Sequence, residues 1–197
     1  MTLAVKPFGE GKKKVFLFNA FIFTLLSSIS GAIFGLIISA IYFLISMLLS
    51  PIIKIFILTI FVILYILNQV KLISIPIAQI KWQIPTNWVN FTPYINMGIW
   101  GTILGAGIFT YTPYAIFHLK YMYLGFFHLP SFGLVLGLIY GFSRAFVSIW
   151  VAYQTYKNPK LHSIFIKSIW TRKVQFDYLH ILALFILLLG LSFQILS

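Results

Sequence analysis

Apolar residues run in long blocks along this chain, and polar positions gather in short stretches between them. The first block extends from Val15 to Leu49, and the second occupies Pro51–Gln69. A third covers about 94–117, a fourth about 130–155 opening at Pro130, and a fifth runs from Tyr178 to Leu196. A helix needs about 20 apolar residues to cross the hydrocarbon core of a membrane. The pattern therefore predicts an all-α polytopic membrane protein with about five transmembrane helices. A single transmembrane domain, 15–196, follows a basic tail, 1–14. The first block is longer than one crossing requires. It predicts one span that is oblique or broken near Ser27–Gly31, with two short spans as the alternative.

The polar stretches sharpen this layout. Pro51 suits a helix start, where its missing N–H costs nothing, and Lys54 one turn later can snorkel to the headgroups. Residues 70–93 carry three prolines and the tryptophans Trp82 and Trp88, as befits an interfacial loop. Residues 157–177 are basic and partly amphipathic.

Composition agrees with the class. Of 197 residues, 61% are hydrophobic and only 8% charged. A soluble domain carries about 25% charged residues. Lys and Arg number 14 against 2 Asp and Glu, for a net charge of +12. With no soluble module to hold a clustered basic face, this excess is read as topology signal and contact with anionic headgroups, not nucleic-acid binding. In a five-span layout with the N-terminus inside, Lys6, Lys12, Lys13 and Lys14 fall on one face with Lys71 and Lys81. Lys157, Lys160, Lys167, Arg172 and Lys173 join them there, against Lys54 and Lys120 opposite and Arg144 within the membrane. The positive-inside rule then puts the N-terminus in the cytoplasm and the C-terminus outside. The expected location is the bacterial cell membrane. There is no cysteine, which excludes thiol redox chemistry, disulfides and thiolate metal sites in the chain.

Small residues recur every fourth position: Ser27, Gly31, Gly35 and Ser39 in the first block, and Gly133, Gly137, Gly141 and Ala145 in the fourth. Gly101 and Gly105 repeat the spacing in the third. Such ridges let helices approach closely in lipid. Tight packing accounts for them, and a degenerate inverted repeat, with the first and fourth spans as equivalents, is the alternative.

The stretch "GTILGAGIFTYTPYAIFHLK", 101–120, is unusual for a span. Pro113 sits among the hydroxyls of Thr110, Tyr111, Thr112 and Tyr114. A proline frees a carbonyl one turn back, tolerated in lipid only where neighbours or water satisfy it. Two readings stand: a kinked interfacial helix, or a discontinuous helix lining a solute path, as in secondary transporters. Arg144, in "LIYGFSRAFVSIW", is apolar-flanked on both sides. A charge at that depth costs at least about 2.5–3.5 kcal/mol. Glu10 and Asp177 lie outside the expected spans, so its partners are expected to be carbonyls, hydroxyls, headgroup phosphate or an anion. The histidines are 118, 128, 162 and 180. Without a supporting carboxylate or thiol they make a poor metal site, and no metal or cofactor is expected. No nucleophile with its base, paired carboxylates or phosphate loop is present, so an enzyme is not expected.

"IPIAQIKWQIPTNW", "GIWGTILGAGIFTYTPYAIF" and "GLVLGLIYGFSRAF", within about 75–155, resemble the cytochrome c biogenesis group (CcdA-like, DsbD transmembrane region). The resemblance implies a Gly-rich helix with a Pro-centred break inside an inverted repeat of three-helix units. In redox members a cysteine follows that proline. Here Tyr114 stands after Pro113, so thiol electron transfer is not carried over and this would be a cysteine-less relative. The functional expectation is a transporter-like protein that binds or moves a small solute, with Thr110, Thr112, Pro113, Tyr114 and Arg144 along the path. The alternative is a non-transporting scaffold, accessory or immunity subunit that docks a membrane partner, or a second copy, through its glycine ridges.

Overall fold

The computed structural model describes residues 13–75, 91–107, 116–157 and 171–196. Among these there are six helices and no strand. They are α1 (Lys13–Ser46), α2 (Pro51–Gln69), α3 (Pro93–Ala106), α4 (Ile116–Phe127), α5 (Pro130–Lys157) and α6 (Lys173–Leu196). Four of them contain stretches long and apolar enough to cross a membrane: Lys14–Ser46, Pro51–Gln69, Pro130–Gln154 and Val174–Leu191.

The first apolar block forms one helix that continues unbroken through Ser27–Gly31. Its 34 residues make a rod of about 51 Å, against a hydrocarbon core of about 30 Å. Neither the break nor the pair of short spans is present. The stretch contains no proline, the residue that removes an N–H from the i to i−4 ladder. Ser28 instead donates its hydroxyl to the carbonyl of Thr24 at 2.8 Å, inside the helix.

The faces of α1 show which solvent the protein is built for. Ser27 and Ser39 are fully buried and Gly31 and Gly35 are buried. Ile33, Ile37 and Ile41 are about half exposed, at 53%, 51% and 48%. Water-soluble helices turn large aliphatic residues inward. Here small and hydroxyl residues face the protein and isoleucines face out, the arrangement expected when lipid is the solvent. The chain is an all-α polytopic membrane protein.

The third block departs most from its sequence pattern. Helix α3 stops at Ala106, followed by Gly107 at φ 73°, ahead of Pro113. A second helix, α4, then carries residues beyond the expected end at 117, through Phe127. At 14 and 12 residues, or about 21 and 18 Å, neither crosses a 30 Å core by itself. At the other end of the chain, α6 begins ahead of Tyr178 and takes Asp177 in as its fifth residue.

The residues group into two compact units whose boundary falls inside α1, between Leu36 and Ile37. The first contains Met1–Leu36, Gln79–Tyr111 and Leu134–Ser168. In it, Gly101 of α3 lies on the backbone of Phe23, and Gly105 on that of Ser27. Both numbers advance by four, so α3 runs parallel to α1. On α5, Gly137 meets Gly31, Gly141 meets Ser27, and the Tyr153 ring stands 6.0 Å from that of Phe16. One number rises as the other falls, so α5 is antiparallel to α1. Ala20, Phe23, Met97, Ala145 and Ala152 fill the space beside the seam.

The second unit contains Ile37–Ala78, Thr112–Gly133 and Ile169–Ser197. Its core joins Ile55, Leu58 and Val62 of α2 with Leu119, Met122 and Phe126 of α4 and Leu184 and Leu191 of α6. Steps of three, four and seven put each set on one helix stripe. The end of α1 joins through Gly125, whose missing side chain admits the Ser39 carbonyl and Tyr42, while the Tyr42 and Phe126 rings meet edge to face at 5.9 Å.

Candidate functional site

The first unit is held together by its smallest residues. A side chain at Gly31, Gly105, Gly137 or Gly141 would run into backbone carbonyls, those of Gly137, Ser27, Gly31 and Ser27 respectively. Side chains that are absent cannot be compressed, so these positions set the helix separations. Ser27 stands where three helices meet, with Gly105 on one side and Gly141 on the other. Its hydroxyl donates to the Gly141 carbonyl at 2.9 Å. Ser30 makes the matching contact to α3, donating to the Thr102 carbonyl at 2.7 Å. Gly35 and Gly133, expected in the same ridges, are buried.

Arg144 occurs one turn along α5 from Tyr140 and is half-buried. Its Nη1 donates to the Tyr140 hydroxyl at 2.7 Å and to the Leu104 carbonyl at 3.4 Å. The guanidinium carbon stands 5.5 Å from the centre of the Tyr140 ring. Leu104 belongs to the last turn of α3, where carbonyls lose their intrahelical donors and the helix dipole leaves partial negative charge. A cation placed there answers both. Gly107, past the end of α3, takes the positive φ that favours glycine and stops the helix where Arg144 meets it.

Both of these acceptors are neutral groups. Asp177 is the one acidic residue among the described residues, and it lies on α6. Two of the Arg144 hydrogen bonds thus go to a hydroxyl and to a carbonyl, two of the acceptor kinds expected for it. Thr110, Thr112, Pro113 and Tyr114 lie outside the described residues. Tyr140 and the Leu104 carbonyl were not among the candidates. Tyr140 had a visible signal, since it precedes Arg144 by one helical turn. The carbonyl had none, because every residue has one.

Two hollows accompany the units. One of about 540 Å³ in the first unit is apolar, between Ile22 and Leu26 of α1 and Tyr94, Gly98 and Thr102 of α3. Another of about 400 Å³ in the second unit includes Lys54 and His128. Among the described residues no three His, Asp or Glu gather as a metal site would need. Comparison of the chain with protein-family models, curated proteins and solved structures finds no match, so the chemistry of the site rests on its own geometry.

Proposed function

We propose that this membrane protein binds or moves a small anionic solute at the interrupted end of α3, with Arg144 as the residue that attracts it. The observation that carries this is the pair of bonds from Arg144 Nη1 to Tyr140 and to the Leu104 carbonyl. They fix a cation beside a helix end in a chain with two acidic residues in all. A packed apolar span has no use for such a charge, whose cost in lipid is substantial. Broken helices with exposed termini are how many transporters hold ions at membrane depth. Thr110, Thr112 and Tyr114 are the hydroxyls this reading assigns to the path, following the short helix. The resemblance to the cytochrome c biogenesis group fits the glycine-rich approach to the break. With no cysteine, the function proposed is solute handling, not electron relay.

Reconstitution in vesicles with a panel of small radiolabelled inorganic anions and carboxylates tests this. Saturable uptake of at least one, abolished in Arg144→Leu while the protein still inserts and folds, is the expected result. No saturable uptake or binding across the panel, together with a stoichiometric membrane partner on purification, would replace it with a scaffold role.

A further inference from the structure

The geometry points to a binding site for the phosphate of an anionic phospholipid headgroup, built from Lys54 and His128 in the second unit and independent of the solute site proposed for Arg144. Both line the hollow of about 400 Å³, together with Ser46, Met47, Phe126 and Phe132. It opens beside the turn that joins α1 to α2. Lys13 begins α1 and Ser46 ends it. A helix of that length puts this turn on the membrane face opposite the N-terminal lysines.

Lys54 is poorly placed for an ordinary surface lysine. It sits in the first turn of α2, its N–H bonded to the Ser50 carbonyl at 3.1 Å. The start of a helix carries partial positive charge, and a cation there is unfavourable. That turn contains no acidic residue to offset it. The positive-inside bias does not explain it either, since it lies on the face where the chain otherwise carries few cations. His128, just past the end of α4, adds an imidazole, its backbone N–H closing on the Leu124 carbonyl at 2.8 Å. Rings of Tyr123 and Phe132 stand 5.7 and 5.3 Å from it and hold it at the mouth. Ser46 turns its hydroxyl inward to the Phe43 carbonyl.

An ammonium and an imidazole thus line one hollow, and both are groups that can donate to an anion. The rest of the lining is aromatic and aliphatic. Met47, Leu129 and Phe132 beside it are strongly exposed, at 64%, 60% and 53%. A charged head at the membrane surface with apolar surface running down from it matches a phospholipid, its phosphate at Lys54 and His128 and its chains along the outward residues. A free phosphate has no use for the apolar part.

Native mass spectrometry from nanodiscs of phosphatidylcholine containing phosphatidylglycerol tests the site. One retained phosphatidylglycerol per chain is expected. Lys54→Ala should weaken retention about five-fold, the scale for one cation near an anionic surface, and His128→Ala should weaken it by less, as the loss of one hydrogen-bond donor. Lys54→Arg should retain it, and thermal melts of each variant separate lost binding from lost folding. Equal retention of phosphatidylcholine by the unaltered protein overturns the proposal. So does unchanged retention in both folded alanine variants, or displacement of the lipid by inorganic phosphate alone.

Discussion

The hydroxyl of Ser27 donates to the carbonyl of Gly141, 114 residues along the chain, at 2.9 Å. That bond is possible because neither Gly137 nor Gly141 has a side chain to hold α5 away from α1. The hydrogen bond and the close approach contribute differently. Ser27→Ala should cost about 0.6 kcal/mol, the average for such bonds in membrane proteins. Gly141→Leu must push α5 off α1 and should cost about 1–3 kcal/mol. Thermal unfolding in detergent should rank the two in that order. Equal effects would mean that the bond, not the approach, sets the seam.

Two other glycines should respond in opposite directions. Gly107 has φ 73°, a conformation that costs an L side chain about 1–2 kcal/mol, so Gly107→Ala should lower the melting temperature. Gly190 is in the body of α6 with nothing within 4 Å of a Cβ placed there. Gly190→Ala should be neutral or stabilise by up to about 1 kcal/mol. A destabilised Gly190→Ala would show that this face packs against something in the membrane.

Tyr140→Phe removes the 2.7 Å acceptor of Arg144 and leaves its ring in place. The expected cost is about 1–2 kcal/mol, since the lost bond is charge-assisted but the alternative carbonyl remains. Arg144→Lys keeps the charge but loses the planar fork, and should weaken solute binding while preserving insertion. If Arg144→Lys behaves as the unaltered protein in the vesicle assay, the guanidinium geometry is not what recognises the solute.

The absence of cysteine makes orientation easy to measure. Single cysteines at Leu48 and Arg172 should differ in intact cells. An impermeant thiol reagent should label Leu48→Cys directly and Arg172→Cys only after permeabilisation. The reverse pattern would place the N-terminus outside and overturn the reading of the basic loops.

Much of the fold was legible in residues that repeat. The four-residue spacing of Ser27 and Gly31, and of Gly137 and Gly141, announced two close-packing ridges, and the structure joins them with the numbering running in opposite directions. The third block was harder to read, because hydropathy does not register where a helix stops. Pro113 drew attention as the breaker, yet α3 already ends at Ala106. The continuation through Phe127 was hidden by His118, Lys120 and the tyrosines, which read as a loop. On α4 these sit among rings, with Lys120 Nζ 4.8 Å from the Phe117 ring centre and 4.9 Å from that of Tyr121. Arg144 was visible as an anomaly. Of its two acceptors, Tyr140 could be read from the helical spacing, and the Leu104 carbonyl, a backbone oxygen from another helix, could not.

The length of α1 makes bilayer thickness a variable of this protein. A rod of 34 residues outreaches the hydrocarbon by about 20 Å, and must tilt, extend its ends into the headgroups or deform the lipid around it. Each response changes with acyl-chain length, at fractions of a kcal/mol per Å of mismatch. Ser27 and Gly31 sit on this helix, so a change in its tilt bears on the glycine seam they form with α3 and α5. The acyl-chain length of the surrounding lipid thereby enters the energy of this seam, with no contact to any polar group required.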